Sequence, residues 1–214
     1  MSAEIVKKVA VNLVKDVKTG QTVPLGSLWE SRACVLLFLR RFGCQVCRWT
    51  ASELSKLKPQ LDAANVNLVG VGPEEVGVDE FVQGKFFAGD LYVDETKRCY
   101  KDLGYRRYNA LNVIPAAASK KSREVISKAK ADGIPGNFKG DLLQAGGTLI
   151  VGAGGEQVLL NFVQDSPGDH VELQEVLRLL GVEGTVQASM QPKVCIISVY
   201  VELQQLFVNV MFAG

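Results

Sequence analysis

The sequence predicts an α/β fold with a central mixed sheet flanked by helices. Residues 34–39 (Cys-Val-Leu-Leu-Phe-Leu) are almost wholly apolar and residues 66–71 largely so, which is typical of strands covered on both faces. Between these runs, apolar residues recur at helical spacing over residues 49–64. A strand, a helix and a second strand in this order predict a parallel pair of strands joined by a helical crossover.

The composition fits one domain with a sizeable core. The chain has 214 residues, of which 47% are hydrophobic, and its 24 Lys and Arg residues balance 23 Asp and Glu residues. Near-neutral charge without a long basic stripe argues against a nucleic-acid partner. We expect neither a signal peptide at residues 1–8, which lack an apolar core, nor a transmembrane segment at residues 194–212, which polar side chains interrupt. Five cysteines in such a chain predict a reducing compartment, the cytosol by default.

The remaining elements follow from periodicity and from turn residues. In chain order we predict a strand over Glu4–Asp16, a turn at Lys18–Gln21, an irregular lead-in over Val23–Trp29, a helix from Cys44 to near Ala64, a helix over Asp79–Phe87, a strand over Leu91–Asp94, a helix over Thr96–Leu103, a long and partly helical insertion over Tyr105–Gly147, a β-hairpin over Thr148–Val163, and a helix over Val171–Leu180. Gly104 and Gly181 are expected to end the helices before them.

This element order predicts a thioredoxin-like fold, because a parallel half is followed by a hairpin and a last helix. A Cys-x-x-Cys pair, Cys44 and Cys47, falls at the turn from the first central strand to its helix, where such folds hold a redox pair. We assign residues 1–182 to this redox domain. Residues 183–214 are expected to be a variant, apolar C-terminal tail.

The position of the two cysteines predicts dithiol chemistry. A helix start offers unpaired N–H groups and the positive end of the helix dipole, and Arg40, Arg41 and Arg48 add positive charge. Such surroundings lower a thiol pKa from about 8.5 to about 7 or below. We expect Cys44, nearer the helix start, to be the exposed nucleophile and Cys47 to be the resolving thiol that closes the disulfide.

Other interpretations of these residues are weaker. Zinc needs about four ligands, and the chain offers one Cys-x-x-Cys pair and one distant histidine, His170, so no metal site is expected. Both cysteines could instead be buried core residues, although the flanking arginines and Gly43 argue against this. The glycine-rich stretches at residues 70–73 and 152–155 lack the dinucleotide fingerprint, so no tightly bound nucleotide cofactor is expected.

Three segments carry a resemblance to a known family. These are Arg40–Arg48 (Arg-Arg-Phe-Gly-Cys-Gln-Val-Cys-Arg), Gly140–Gln144 leading into Gly146-Gly147, and Val158–Asp169. Together they resemble the peroxiredoxin-like 2 family of thioredoxin-fold proteins, over roughly residues 9–182. The chain differs from ordinary peroxiredoxins, because Leu37 and Arg41 stand where those enzymes have the Pro and Thr of their peroxidatic motif.

The resemblance implies an oxidoreductase that reduces a lipid endoperoxide, that of prostaglandin H2 or its ethanolamide, to the F2α product. It also implies that NADPH is the ultimate electron donor, acting through thioredoxin reductase and thioredoxin. Cys44 and Cys47 would be the catalytic pair, and Arg41 or Arg48 would stabilise the leaving alkoxide or the thiolate. Two alternatives stay open: a general thiol peroxidase, and a non-enzymatic redox-sensing module of the same fold.

Overall fold

The computed structural model describes residues 3–109 and 119–184, which form an α/β structure around one seven-stranded mixed sheet. In chain order the elements are α1 (Ala3–Ala10), β1 (Leu13–Asp16), β2 (Thr22–Pro24), a 3-10 helix (Leu25–Trp29), β3 (Cys34–Phe38), α2 (Gln45–Ser55), α3 (Lys58–Ala63), β4 (Asn67–Gly72), α4 (Val78–Gln83), β5 (Asp90–Val93), α5 (Arg98–Asp102), α6 (Lys120–Ala131), β6 (Gly147–Val151), a 3-10 turn (Ala153–Gly155), β7 (Val158–Val163) and α7 (Leu173–Leu180).

The sheet has the order β2-β1-β5-β4-β3-β6-β7. Strands β3, β4 and β5 are parallel neighbours, whereas β6 is antiparallel to both β3 and β7. The predicted parallel pair, the hairpin and the mixed sheet are therefore confirmed. Strand β3 is an interior strand between β4 and β6. The turn after it carries Cys44, and the first turn of α2 carries Cys47, so both cysteines lie at the carboxyl end of an interior strand.

Strand β3 contributes to hydrophobic cores on both faces of the sheet, because all five of its residues are buried. Val35 and Leu37 join the core that includes α2, α3 and α7. Leu36 and Phe38 point to the opposite face, toward the core built from α1, α5 and the first 3-10 helix. Burial on both faces explains why the strand sequence is a continuous apolar run rather than an alternating one.

The strand predicted over Glu4–Asp16 is wrong in its first half, which is helix α1. Val6 and Val9 are fully buried at a spacing of three residues, as one face of a helix requires. Val11 and Leu13, which suggested an alternating strand together with Val9, are instead exposed (72% and 57%) at the loop and the start of β1. Together with Val9, these exposed apolar residues produce the alternation of apolar and polar residues that is typical of a strand, although residues 9–12 do not form one.

The helix predicted from Cys44 to near Ala64 is two helices, α2 and α3. Leu57 caps the start of α3, and Pro59 stands in its first turn, where the missing N–H is tolerated. Helix α6 lies within the predicted long insertion. Residues 110–118 of the insertion and 185–214 of the tail lie outside the described residues, so the extent of both stays a prediction.

Candidate active site

The cysteine pair lies at the start of helix α2. Cys44 is the residue before the first helical residue, with extended backbone angles (φ −71°, ψ 119°). Its Sγ accepts a hydrogen bond from the backbone N–H of Cys47 at 3.3 Å. Sulfur thus takes the place that a Ser, Thr or Asp oxygen usually has at a helix N-cap, and it lies at the positive end of the helix dipole. A negative charge on Cys44 is favoured at this position.

Both sulfurs are buried, so the expectation that Cys44 is exposed is wrong. Cys44 is 4% exposed and Cys47 is 5% exposed. Residues 133–144, which follow helix α6, lie against residues 39–44, the loop between β3 and α2. We call residues 133–144 the cover segment and residues 39–44 the cysteine loop. The backbone N–H of Asn137 in this segment donates to Gly43 O at 2.7 Å, and Ile134 packs against the core cluster that contains both cysteines.

Four side chains of the cysteine loop and of α2 hold the cover segment by its backbone carbonyls. The bonds are Arg40 to Leu142 O (2.9 Å), Arg41 to Asn137 O and to Lys139 O (3.2 Å), Gln45 to Ile134 O (2.8 Å), and Arg48 to Pro135 O (3.1 Å). Carbonyls of a loop need partners when water is excluded, and these donors supply them. The three arginines therefore hold the cover segment in place, in addition to providing positive charge near the cysteines.

Arg40 is the cation in closest contact with the nucleophile. Among the described residues, its guanidinium is the one within hydrogen-bonding distance of Cys44 Sγ, with Nη1 at 3.8 Å. The side chain is buried and lies over the ring of Tyr108, with 5.8 Å between Cζ and the ring centroid. The sequence marks Arg40 as one of three nearby arginines but gives no sign that it is the one that reaches the sulfur.

Arg41 and Arg48 differ in how they are placed. Arg41 lies over the ring of Phe138 in the cover segment, and burial lowers its pKa whereas both cysteines raise it. Arg48 donates to Phe42 O at 2.8 Å and to Glu80 at 3.2 Å, and it lies over the ring of Phe86. Glu80 also accepts from the side chains of Asn137 and Lys139, so it joins Arg48 to the cover segment.

The surroundings separate the pKa values of the two thiols. The pKa of Cys44 lies well below its ordinary value, chiefly because the Cys47 thiol donates a hydrogen bond to it; burial opposes this, and Arg40, Arg41 and the Cys47 N–H lower it further. The pKa of Cys47 lies well above its ordinary value because of burial, the bond to Cys44 and repulsion from its charge. This is the arrangement of one thiolate and one protonated partner.

Four aromatic side chains that could line a groove for an apolar ligand are buried instead. Phe42 is fully buried against Phe81, and Trp49 donates its ring N–H to Asp132 at 2.9 Å. Tyr105 and Tyr108 are also buried. None of the four lines an open surface in this closed arrangement.

The other candidate residues lie apart from this chemistry. His170 stacks edge-on against Trp49, 5.5 Å between centroids, and is partly buried. Cys34 and Cys99 are buried core thiols whose pKa burial raises, and Cys195 falls outside the described residues. In the described ranges, no three His, Cys, Asp or Glu side chains group as metal ligands. Across those same ranges, no helix combines the length and hydropathy needed to cross a bilayer.

Solved structures share this fold at low sequence identity. The bacterioferritin comigratory protein of Xanthomonas campestris, described for its alkyl peroxide reduction activity, matches with a TM-score of 0.53 at 14% identity, over 82% of this chain and 92% of that chain. Peroxidoxin BcpB of Mycobacterium tuberculosis matches with a TM-score of 0.51 at 16% identity, over 79% of this chain and 88% of that one. The thioredoxin-like fold predicted from the element order is confirmed, with neighbours of the peroxiredoxin type.

Other relatives have a much higher sequence identity to this chain than these solved structures do. The model of the family described as AhpC/TSA antioxidant enzyme matches residues 53–166. Proteins named prostamide/prostaglandin F synthase are 61% identical in Salmo salar (87% of this chain, 93% of the relative), 57% in Danio rerio (90% and 96%) and 52% in Homo sapiens (90% and 98%). With this identity over nearly the whole length of each relative, the chain belongs to the prostamide/prostaglandin F synthase family, within the AhpC/TSA-type proteins of thioredoxin-like fold.

Proposed function

We propose that the protein is an oxidoreductase that reduces the endoperoxides of prostaglandin H2 and prostamide H2 to prostaglandin F2α and prostamide F2α. The relatives' shared name supports the substrate. The observation that carries the chemistry is the pair of sulfurs at the start of α2, one held as a thiolate and the other as its hydrogen-bond donor. Cys44 is the nucleophile and Cys47 the resolving thiol.

The reaction takes two electrons from the dithiol. The Cys44 thiolate attacks one oxygen of the weak O–O bond, an S–O bond forms, and the other oxygen leaves as an alkoxide that takes a proton. Cys47 then gives up its proton and attacks the sulfur of Cys44, which releases the second oxygen as an alkoxide. A second proton completes the second hydroxyl. The net change is one dithiol to one disulfide and one endoperoxide to two hydroxyls.

Cations near the sulfur stabilise the negative charge as it moves from sulfur to oxygen. Arg41 is buried beside the pair and lowers the pKa of Cys44, so it gives electrostatic support to the thiolate and to the leaving alkoxide. Arg48 supports the site from farther away, since it holds the Phe42 carbonyl and the Glu80 carboxylate.

Regeneration needs an external dithiol. We propose that thioredoxin reduces the Cys44–Cys47 disulfide, and that NADPH supplies the electrons through thioredoxin reductase, in the cytosol. The chain's lack of a dinucleotide fingerprint supports an indirect route for NADPH rather than a tightly bound cofactor.

The test compares electron acceptors under thioredoxin recycling. Purified protein is given prostaglandin H2, hydrogen peroxide or insulin disulfides, with thioredoxin, its reductase and NADPH, and both NADPH loss and F2α formation are followed. We expect the endoperoxide to be reduced at least about tenfold faster than the other two acceptors. Equal rates with all three would leave only a general thiol reductase.

Variants test the dithiol step in the same assay. Cys44→Ser and Cys47→Ser are each expected to reduce multiple turnover below about 1% of the wild-type rate, because neither can complete the disulfide. Cys34→Ala, at a buried cysteine on β3, is the matched control and is expected to retain turnover. Sustained turnover by either serine variant would contradict the mechanism.

A further inference from the structure

Arg40 contacts two parts of the site at once. Its Nη1 lies 3.8 Å from Cys44 Sγ, and its Nη2 donates to the backbone carbonyl of Leu142 in the cover segment at 2.9 Å. The side chain is only 6% exposed. Tyr108 holds it from one side, and the Tyr108 N–H donates in turn to Leu143 O at 2.8 Å. One guanidinium thus joins the reacting sulfur to the end of the cover segment.

We propose that Arg40 is a further catalytic residue, which couples the charge on the Cys44 sulfur to closure of the cover segment over the cysteine pair. The inference deepens the proposed function, since it rests on Cys44 and Cys47 cycling between dithiol and disulfide. In the reduced state the thiolate and Leu142 O hold Arg40 between them, and the site is closed.

Oxidation removes the anion that Arg40 faces. When the disulfide forms, Cys44 Sγ becomes neutral, so the contact with Nη1 loses its charge-assisted character. A buried cation without its counter-ion is unfavourable, and Arg40 gains by moving toward water. The bond from the Cys47 N–H to Cys44 Sγ weakens for the same reason. The hold of Arg40 on Leu142 O is then lost. That end of the cover segment keeps the bond from the Tyr108 N–H to Leu143 O and the ion pairs of Asp141, so it loosens rather than detaches.

This loosening answers a requirement of the reaction. Both sulfurs are buried, yet a second dithiol must reach the disulfide to reduce it. Arg41, Gln45 and Arg48 hold residues 134–137 of the cover segment, and Arg41 also Lys139 O, through bonds that do not involve the sulfurs. We therefore expect the segment to loosen from residues 139–144, rather than to leave as a whole.

The experiment is hydrogen exchange of the cover segment in both redox states, measured by mass spectrometry of peptides from residues 133–144. Protein reduced with dithiothreitol is compared with protein oxidised by diamide, which takes two electrons and two protons from the dithiol. In the wild type we expect oxidation to speed exchange in residues 139–144 at least about fivefold, with peptides from β3 and β4 unchanged.

Variants assign this change to Arg40. In Arg40→Gln, exchange in the segment is expected to be fast in both states, with less than about a twofold redox difference, and the pH midpoint for iodoacetamide alkylation of Cys44 is expected to rise. Arg40→Lys keeps the charge but not the two-pronged contact, so its redox difference should be intermediate. Arg98→Gln, at an exposed arginine on α5, should behave as the wild type in both measurements.

Two results would overturn the proposal: the same exchange in reduced and oxidised wild type, or an unchanged redox difference in Arg40→Gln. If circular dichroism shows that Arg40→Gln does not fold, Arg40→Lys is the deciding variant. In that case, a redox difference in exchange equal to that of the wild type, together with an unshifted alkylation midpoint, would contradict the proposal. These readouts use no lipid. The proposed function fails separately, if wild-type protein does not reduce prostaglandin H2.

Discussion

At the scale of single residues, the three arginines around the cysteine pair have different roles. Arg40 faces the sulfur, Arg41 lies under the cover segment, and Arg48 is fully engaged by Phe42 O, Pro135 O and Glu80. The sequence shows that three cations lie close to Cys44 but not which of them reaches it. Side-chain direction depends here on partners about 90 residues later in the chain, which local patterns do not reveal.

The first prediction separates charge at the sulfur from support of the loop. Arg48→Gln is expected to leave the pKa of Cys44 nearly unchanged but to lower the free energy of unfolding by about 1–3 kcal/mol, because a buried cation with several bonds is lost. Arg41→Gln is expected to raise the pKa of Cys44, since its charge lowers that pKa in the native protein. Urea unfolding and the pH profile of Cys44 alkylation measure the two quantities.

A clear shift of the alkylation midpoint in Arg48→Gln would contradict this division of roles. It would restore the simpler interpretation, in which Arg48 supports the thiolate directly. The exposed Arg98 again provides the control for general loss of positive charge.

At the scale of elements, the order of strands and helices follows from the sequence but the cover segment does not. The buried strands β3 and β4 can be recognised in the sequence as apolar runs, and the Cys-x-x-Cys pair marks the start of α2. Residues 133–144 have little regular structure and are held by long-range hydrogen bonds. Neither periodicity nor turn chemistry reports such contacts, so the burial of Cys44 could not be predicted.

The second prediction concerns Asp141, which holds the far end of the cover segment. It forms an ion pair with Lys97 at 2.6 Å and another with Arg107, and it accepts from the Leu143 N–H. Burial alone would raise its pKa, but these bonds outweigh burial and lower the pKa to about 2. The stability that Asp141 contributes is therefore fully present above its unfolded pKa of about 4, and it is lost as the pH falls toward 2.

Asp141→Asn is accordingly expected to lower the free energy of unfolding by about 1–2 kcal/mol at pH 7, with allowance for solvent screening. The difference between variant and wild type should shrink between pH 4 and pH about 2.5. Urea unfolding at a series of pH values is the measurement. A difference that stays constant from pH 7 to pH 3 would show that the carboxylate charge is not what holds this end.

At the scale of the whole molecule, the strands of the sheet pack closely next to the cysteine loop. Gly146 precedes β6 and Gly147 begins it, and a Cβ at Gly146 would collide with Phe38 O and approach Arg40 N. A Cβ at Gly147 would collide with Phe162 O and with the Tyr105 ring. The sequence shows both glycines but not why glycine is needed at these positions. The requirement comes from the close approach of neighbouring strands, which only the assembled sheet shows.

The burial of both sulfurs also has a kinetic consequence. The endoperoxide reacts with the dithiol form of this buried pair and thioredoxin with its disulfide form, so the two reactants use the site one after the other. We therefore expect ping-pong kinetics, in which reciprocal plots of rate against endoperoxide at several thioredoxin concentrations give parallel lines. Intersecting lines would mean that both reactants can occupy the enzyme together, which would contradict this expectation.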